Sequence, residues 1–167
     1  MQSTTTSAPV TLDAANAEAI VTGADVVVDC TDSFESRYLV NAACCSQGIP
    51  LVEAGLVAFE GLVLTVIPGR SACYRCVFPT EPPVGSRGSC RDAGVLGPMA
   101  GIVGSIQALE VLKLLAGIGT PLTDTLLQID GSNMVQTHVA TRRRPDCPVC
   151  GGQATGRRAA AAAAEAS

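Results

Sequence analysis

Two periods of hydrophobic and polar positions run along this chain, and the places where one gives way to the other divide it into elements. Asp13 to Ile20 (DAANAEAI) has helical spacing with an acidic cap at Asp13, and Gly23 ends it. Ala24-Asp25-Val26-Val27-Val28 is a short β-branched run of the kind that fills a fully buried parallel strand. Phe34 to Gln47 returns to helical spacing, with Ser33 or Asp32 as N-cap and Gly48 as the C-terminal stop. Ile49 to Ala54 and Leu62 to Ile67 read as strands, the second entered through Gly61. Strand, helix and strand joined by short connections imply a βαβ crossover and a parallel sheet. Pro68 to Asp92 has little periodicity and much Gly, Pro, Ser and Arg, so it reads as a long loop, a length that is usually functional. Pro98 opens a helix running to about Leu115, and Leu126 to Asp130 with Met134 to Thr141 form a hairpin around Gly131-Ser132-Asn133.

Composition narrows the class. The 167 residues suit one domain, 12–151, followed by an alanine-rich tail, 152–167, that reads as disordered. With 47% hydrophobic and 16% charged residues, most of the chain is expected to fold. An aromatic share of 3% without Trp argues against a nucleic-acid stacking platform. A net charge of −4 and a pI near 4.9 argue against nucleic acid or an anionic membrane as the main partner. The longest uncharged run, Ala93 to Leu109, is broken by glycines and Pro98 and falls short of the ~20 residues that span a bilayer. It therefore predicts a buried helix of a soluble protein. With no basic start followed by an apolar stretch, a cytoplasmic location is expected, where thiols stay reduced.

Eight cysteines change the picture. Cys73-Tyr-Arg-Cys76 and Cys147-Pro-Val-Cys150 are two C-x-x-C pairs in Gly/Pro-rich surroundings, the donor pattern of a structural Zn²⁺ site with four thiolates. The alternative is that one pair is a redox couple and the other incidental, but neither pair reads as a strand running into a helix, as a redox motif would. Cys44 and Cys45 fall in an apolar helical context and read as buried small residues, as does Cys30 after its strand. Cys90 lies in a polar loop between Arg87 and Arg91, whose guanidinium groups would stabilise a thiolate. It is the candidate nucleophile, with an ordinary loop cysteine as the alternative. His138, the only histidine, reads as structural, and Arg142-Arg143-Arg144 as a solvated basic turn.

Asp29-Cys30-Thr31-Asp32-Ser33 runs from the first strand straight into polar residues. Ligands of open parallel sheets bind beyond the carboxyl ends of the strands, so Asp32 sits where a carboxylate could hold Mg²⁺ between phosphates. Capping the next helix is an equally good use of the same side chain.

The segment Asp29-Cys-Thr-Asp32-Ser-Phe-Glu-Ser-Arg37-Tyr-Leu-Val-Asn41 resembles the D-x-T-D-N-x-x-x-R-x-x-x-N segment of the MoeB/ThiF/HesA adenylyltransferases, relatives of ubiquitin-activating enzymes. The resemblance continues through Phe59-Glu-Gly61, both C-x-x-C pairs, Cys90-Arg-Asp-Ala-Gly94-Val-Leu-Gly-Pro98 and Gly104-Ser-Ile-Gln107-Ala-Leu-Glu110. It covers about Leu12 to Gly151 and implies an α/β, Rossmann-like domain with a mixed sheet: parallel strands, a C-terminal hairpin and a four-cysteine zinc site. It also implies use of Mg-ATP to adenylate the C-terminal Gly-Gly carboxylate of a ubiquitin-like sulfur carrier, in molybdopterin or thiamine biosynthesis, by a homodimer. By match of position, Asp32 is the aspartate near Mg-ATP, and Cys73, Cys76, Cys147 and Cys150 are the zinc ligands. Cys90 matches a cysteine that takes part in sulfur-transfer or thioester chemistry in some members.

Two departures qualify that expectation. Ser33 stands where the family has Asn, and no G-x-G-x-x-G occurs in the sequence. The family's strand, glycine-rich turn and helix, which hold the phosphates, precede the region matched here. The expectation is therefore the C-terminal part of the domain, truncated and inactive alone. Two rival readings are a non-catalytic zinc scaffold that docks a ubiquitin-like protein or a full-length homologue, and a metal-dependent redox protein. Gly101, Gly104 and Ser105 suit close helix contact in the scaffold reading.

Overall fold

The computed structural model describes residues 10–82 and 94–152. Its elements are α1 (Ala17–Val21), β1 (Val27–Asp29), α2 (Phe34–Gln47), β2 (Leu51–Val57), β3 (Glu60–Val66), α3 (Tyr74–Val77), α4 (Gly97–Ala116), β4 (Thr125–Asp130) and β5 (Val135–Ala140). The strands form one mixed sheet in chain order. β1 and β2 are parallel, with Val28 opposite Val52; every later pair is antiparallel. The predicted crossover is therefore real but confined to one pair, because Ala58 and Phe59 let β2 turn directly back into β3.

The central strands β2 and β3 are buried on both faces over most of their length, and period-two alternation sorts their side chains into two cores. Leu51, Leu64, Val66 and Leu126 face α1, α2 and the cysteine knuckles. Val52, Ala54, Val63, Leu127 and Ile129 face α4. Ser33, not Asp32, caps α2: its Oγ accepts the Ser36 N–H at 3.1 Å, so serine performs the cap that asparagine could also make. Gly48 ends the helix at φ +70°, with its N–H directed to the last-turn carbonyls.

Helix α4 lies along the sheet on one stripe, Met99, Val103, Gln107 and Glu110. Gly61 permits the close approach, because a Cβ there would come within 2.7 Å of Val103 Cγ2. Glu110 is buried and satisfied: it accepts from Thr65 Oγ1 at 2.6 Å and Leu122 N at 2.7 Å, and pairs with Lys113. By length and composition alone α4 could cross a membrane, yet two of the four stripe residues that it sets against the sheet, Gln107 and Glu110, are polar.

Four expectations change. The first helix is shorter than its pattern, since Asp13 caps a turn, accepting from Ala15 N and Asn16 N, ahead of Ala17–Val21. β1 is not a fully buried strand: Val28 is 45% exposed, because the described residues pair β1 on one side only. Cys30, just beyond it, is exposed for the same reason. Finally, α4 is not a buried helix; its opposite face carries the exposed Leu109, Leu112 and Leu115. The hairpin matches its prediction within a residue or so at each end, and His138 is exposed on β5 opposite Leu127.

Candidate functional site

The two C-x-x-C pairs, some seventy residues apart in the chain, meet below the sheet. Cys73 Sγ lies 3.9 Å from Cys76 Sγ and 3.7 Å from Cys147 Sγ, and Cys76 Sγ lies 3.4 Å from Cys150 Sγ. All four cysteines are buried, and their sulfurs lie within 4.8 Å of one another. Bonds of about 2.3 Å to a tetrahedral ion set thiolates roughly 3.8 Å apart, so this donor set fits such an ion. Four protein donors would leave it no open position.

The cluster is braced from two directions. From α2, Asn41 Oδ1 accepts the Tyr74 N–H at 2.9 Å, fixing the single turn of α3 that follows Cys73 and carries Cys76. Cys45, one turn further along α2, hydrogen-bonds the Cys73 thiol, and this contact together with burial pushes that thiol up. From the C-terminal side, Arg144 N–H points at Cys76 Sγ at 3.3 Å, and the Arg143 guanidinium donates to the carbonyls of Gly69 and Cys150. Arg143 and Arg144 are therefore not a freely solvated basic turn, as the sequence suggested; they hold the second knuckle. Burial raises the Cys147 thiol, but hydrogen bonds from the N–H groups of Cys150 and Val149 and from the thiols of Cys76 and Cys150 together bring it down to about 7.

A second cluster sits at the carboxyl end of β1. Asp29 Oδ1 accepts the Thr31 N–H at 2.8 Å. Arg37, in the first turns of α2, donates Nη1 to Glu53 Oε1 at 2.6 Å and Nη2 to the Thr31 carbonyl at 2.8 Å. Gly55 makes room for this guanidinium, since a Cβ there would run into it. Glu53 is fully buried, and burial followed by the neighbouring Asp29 push its carboxyl up to about 9 against the pull of Arg37. The arrangement sets one buried guanidinium against two buried acidic side chains, Glu53 in direct contact and Asp29 beside it. Gln107 Nε2 completes it by donating to the carbonyls of Asp29 and Val52 at 3.0 and 3.2 Å.

What this buried frame presents is Asp32. Its side chain is exposed and makes no hydrogen bond or ion pair among the described residues. It opens onto a groove of about 270 Å³ lined also by Cys30, Gly55, Val95 and Gln107. A carboxylate held this way is available to a cation or a donor from solution.

A protein-family model described as the ThiF family matches residues 1–149. The chain belongs to the ThiF family. The SAMP-activating enzyme E1 of Haloferax volcanii is 46% identical over 140 residues, covering 84% of this chain and 52% of that enzyme. The sulfur carrier protein adenylyltransferase of Thermus thermophilus is 44% identical over 154 residues, covering 89% and 57%. The adenylyltransferase and sulfurtransferase MOCS3 of Mus musculus is 47% identical over 137 residues, covering 81% and 30%. Among solved structures, Escherichia coli MccB with ATP superposes with a TM-score of 0.71 at 23% identity, over 85% of this chain and 44% of MccB, a likeness of fold. This ThiF-family chain thus spans about half the length, or less, of the relatives it matches.

Within the family motif, the residues do separate jobs. Asp32 lies at the groove, whereas Asp29, Arg37 and Asn41 are structural: the first two build the frame behind it and the third braces the cysteine cluster. Gln107 and Glu110 reach polar groups of the sheet from α4. Sequence reasoning named none of these five as functional, although charged or amide residues within otherwise apolar strand and helix patterns were the available signal. Cys90, with Arg87 and Arg91, lies outside the described residues. Cys44 and Cys45 are buried as expected, but Cys45 also touches the metal-type cluster.

Proposed function

We propose that this chain supplies the metal-braced, carboxylate-bearing part of an ATP-dependent adenylyltransferase that activates the C-terminal glycine of a ubiquitin-like sulfur carrier, in molybdopterin or thiamine biosynthesis. The observation that carries this reading is the pairing, in one ThiF-family fold, of a closed four-cysteine cluster with an unpartnered carboxylate, Asp32, beyond a parallel strand. In the reaction, an oxygen of the carrier's Gly-Gly carboxylate attacks the α-phosphorus of ATP. The bond from that phosphorus to the bridging oxygen breaks, pyrophosphate leaves, and an acyl adenylate remains. Positioning and neutralisation of phosphate charge supply most of the acceleration.

Asp32 is the residue that would hold the magnesium of Mg-ATP, whose charge offsets that of the phosphates. Arg37 does not reach out to phosphate, because both of its terminal nitrogens are engaged; it fixes the Thr31 carbonyl and keeps Asp32 turned outward. Cys73, Cys76, Cys147 and Cys150 would hold Zn²⁺ as a cross-link that takes no substrate. Cys90 is the thiol proposed for sulfur transfer or a thioester. A homodimeric assembly and a cytoplasmic location belong to the same reading.

The sequence holds no G-x-G-x-x-G, and in this reading these residues do not adenylate a carrier until a phosphate-binding turn is supplied to them. ATP–pyrophosphate exchange tests the point. The isolated chain with a carrier ending in Gly-Gly gives none, and robust exchange would overturn the claim. One observation favours a second reading, the open apolar face of α4, which suits a zinc scaffold docking a full-length homologue. ATP-independent co-purification with such a homologue, with no gain in exchange, would select it.

A further inference from the structure

The cysteine cluster has one thiol more than a tetrahedral ion needs. Cys45, in the last turn of α2, lies outside the four-donor set yet hydrogen-bonds Cys73. Its Sγ also lies 4.0 Å from Asn41 Oδ1, the oxygen that accepts the Tyr74 N–H at 2.9 Å. Asn41 therefore seats the extra thiol and the first knuckle together. Cys44, about 100° round the helix from Cys45, is turned elsewhere, and the charge it feels is that of Asp29 at the end of β1. Cys45 and Cys73 are 2% and 0% exposed, so their contact is closed to large reagents.

We infer that Cys45 and Cys73 are a redox modification site, joining in a reversible disulfide that takes Cys73 out of the metal donor set. The co-reactant is a hydroperoxide, with hydrogen peroxide the one small enough to reach a pair so buried. The Cys73 sulfur attacks one peroxide oxygen and the O–O bond breaks. Hydroxide leaves, to be neutralised by a proton from solution, and Cys73 becomes a sulfenic acid. The Cys45 sulfur then attacks the Cys73 sulfur, the S–O bond breaks, and the Cys45 proton leaves with the hydroxyl as water. Cys45 and Cys73 together lose two electrons, and the peroxide becomes two waters.

Cys76 and Cys147 also lie close to Cys73, at 3.9 and 3.7 Å between sulfurs. In the zinc-bound chain both are committed as ligands. Cys45 has no metal bond to break before it attacks, and it brings the proton that the leaving hydroxyl needs. The new bond ties α2 to the first knuckle and leaves the second, Cys147 and Cys150, without its full donor set.

Zinc in the cluster belongs to the proposed function, on which this inference rests, so the test reads covalent state and metal content, not activity. The full 167-residue chain, loaded with zinc, is treated with hydrogen peroxide while a chromogenic chelator records released metal. Remaining thiols are blocked and the chain is digested with trypsin. Cleavage after Arg37, Arg70 and Arg75 puts Cys45, Cys73 and Cys76 in different peptides. The expected product is peptide 38–70 joined to peptide 71–75, appearing in step with zinc release, and dithiothreitol restores zinc binding. Cys44→Ala should behave as wild type. Cys45→Ser keeps a hydroxyl beside Cys73 but cannot form the bond. There the joined peptide should be absent, Cys73 should proceed to the sulfinic acid, and zinc recovered after reduction should fall about fivefold or more. A Cys73 disulfide to Cys76 or Cys147 in the wild type, or a joined peptide that survives Cys45→Ser, would overturn the inference. So would equal zinc recovery in Cys45→Ser, or zinc and thiols that outlast the peroxide unchanged. If Cys45→Ser holds no zinc before oxidation, the wild-type and Cys44→Ala peptide maps decide. A wild-type chain that binds no zinc removes the zinc reading, and its peptide map after peroxide still decides this one.

Discussion

The two faces of the sheet are finished to different degrees. On the α2 side, Tyr38, Cys44, Leu51, Leu64, Tyr74 and the four knuckle cysteines close a core whose members are all buried beneath helices and knuckles. On the α4 side, the core under Met99 and Val103 is as well packed, but the helix above it and the strand beside it face outward. The closed face brings two distant segments together at the four-cysteine cluster. The open face has no such cluster among the described residues and leaves Val28, Leu109, Leu112 and Leu115 exposed. One side of the protein is therefore limited by its own internal bonds, and the other by what it meets.

Breaking the closed face gives the largest effect. Cys76→Ser should abolish stoichiometric zinc in a metal analysis and cost more than about 4 kcal/mol in denaturant unfolding. Zinc retained at one ion per chain, with stability unchanged, would remove the metal from the account. Next comes the buried frame between the faces. Glu53→Ala strands Arg37 and Asp29 and should cost about 3–5 kcal/mol. Glu53→Gln, which offers Arg37 an oxygen and Asp29 a donor, should stay within about 1 kcal/mol near pH 4.5, below which the contribution of Glu53 is complete.

That pair also sets a pH test. The folded-state acidity constant of Glu53 is raised from 4.5 to about 9, so the folded chain keeps a proton that the unfolded chain releases. Its contribution to stability is complete below 4.5 and is lost as pH rises toward 9. Relative to wild type, Glu53→Gln should gain stability from about pH 6.5 to about pH 8.5, by up to roughly 1.4 kcal/mol per pH unit. Parallel curves for the two proteins would show that Glu53 is ionised in the fold.

Smaller perturbations sharpen the contrast. Gly61→Ala wedges α4 off β3 against Val103 and should cost about 1–3 kcal/mol without touching zinc content. Ser33→Ala removes the α2 cap and should cost about 1 kcal/mol. Asp32→Ala should change unfolding by no more than about 0.5 kcal/mol, since the side chain is bonded to nothing described. A large loss there would mean that Asp32 is part of the frame and not its product.

Pattern alone located α2, the β4–β5 hairpin and most of α4, because long periodic segments bounded by glycine or a capping serine leave few alternatives. It placed the four cysteines in one site because zinc chemistry dictates their number and pairing. Burial was harder to read. Val26-Val27-Val28 carries the composition of an inner strand, yet β1 is three residues long and pairs on one side among the described residues, which a run of valines does not reveal. The same limit explains α4. The direct return of β2 into β3 through Ala58 and Phe59 was missed, since no Asn-Gly or Gly-Gly pair announces that turn. The Asp29–Glu53–Arg37 frame was invisible because it joins two strands and a helix through side chains that lie far apart in the sequence.

Helix α2 carries Arg37 behind the groove and, one turn on, Asn41 at the cysteine knuckle. These two residues are spaced by a single helical pitch of about 5.4 Å. A disturbance at either end therefore has almost no distance over which to dissipate. A change at the four-cysteine cluster would be announced at the mouth of the groove, and a tightly held ligand there would stiffen the knuckle in return. A spectroscopic label at position 32 could serve as a gauge of metal occupancy, read from outside the core.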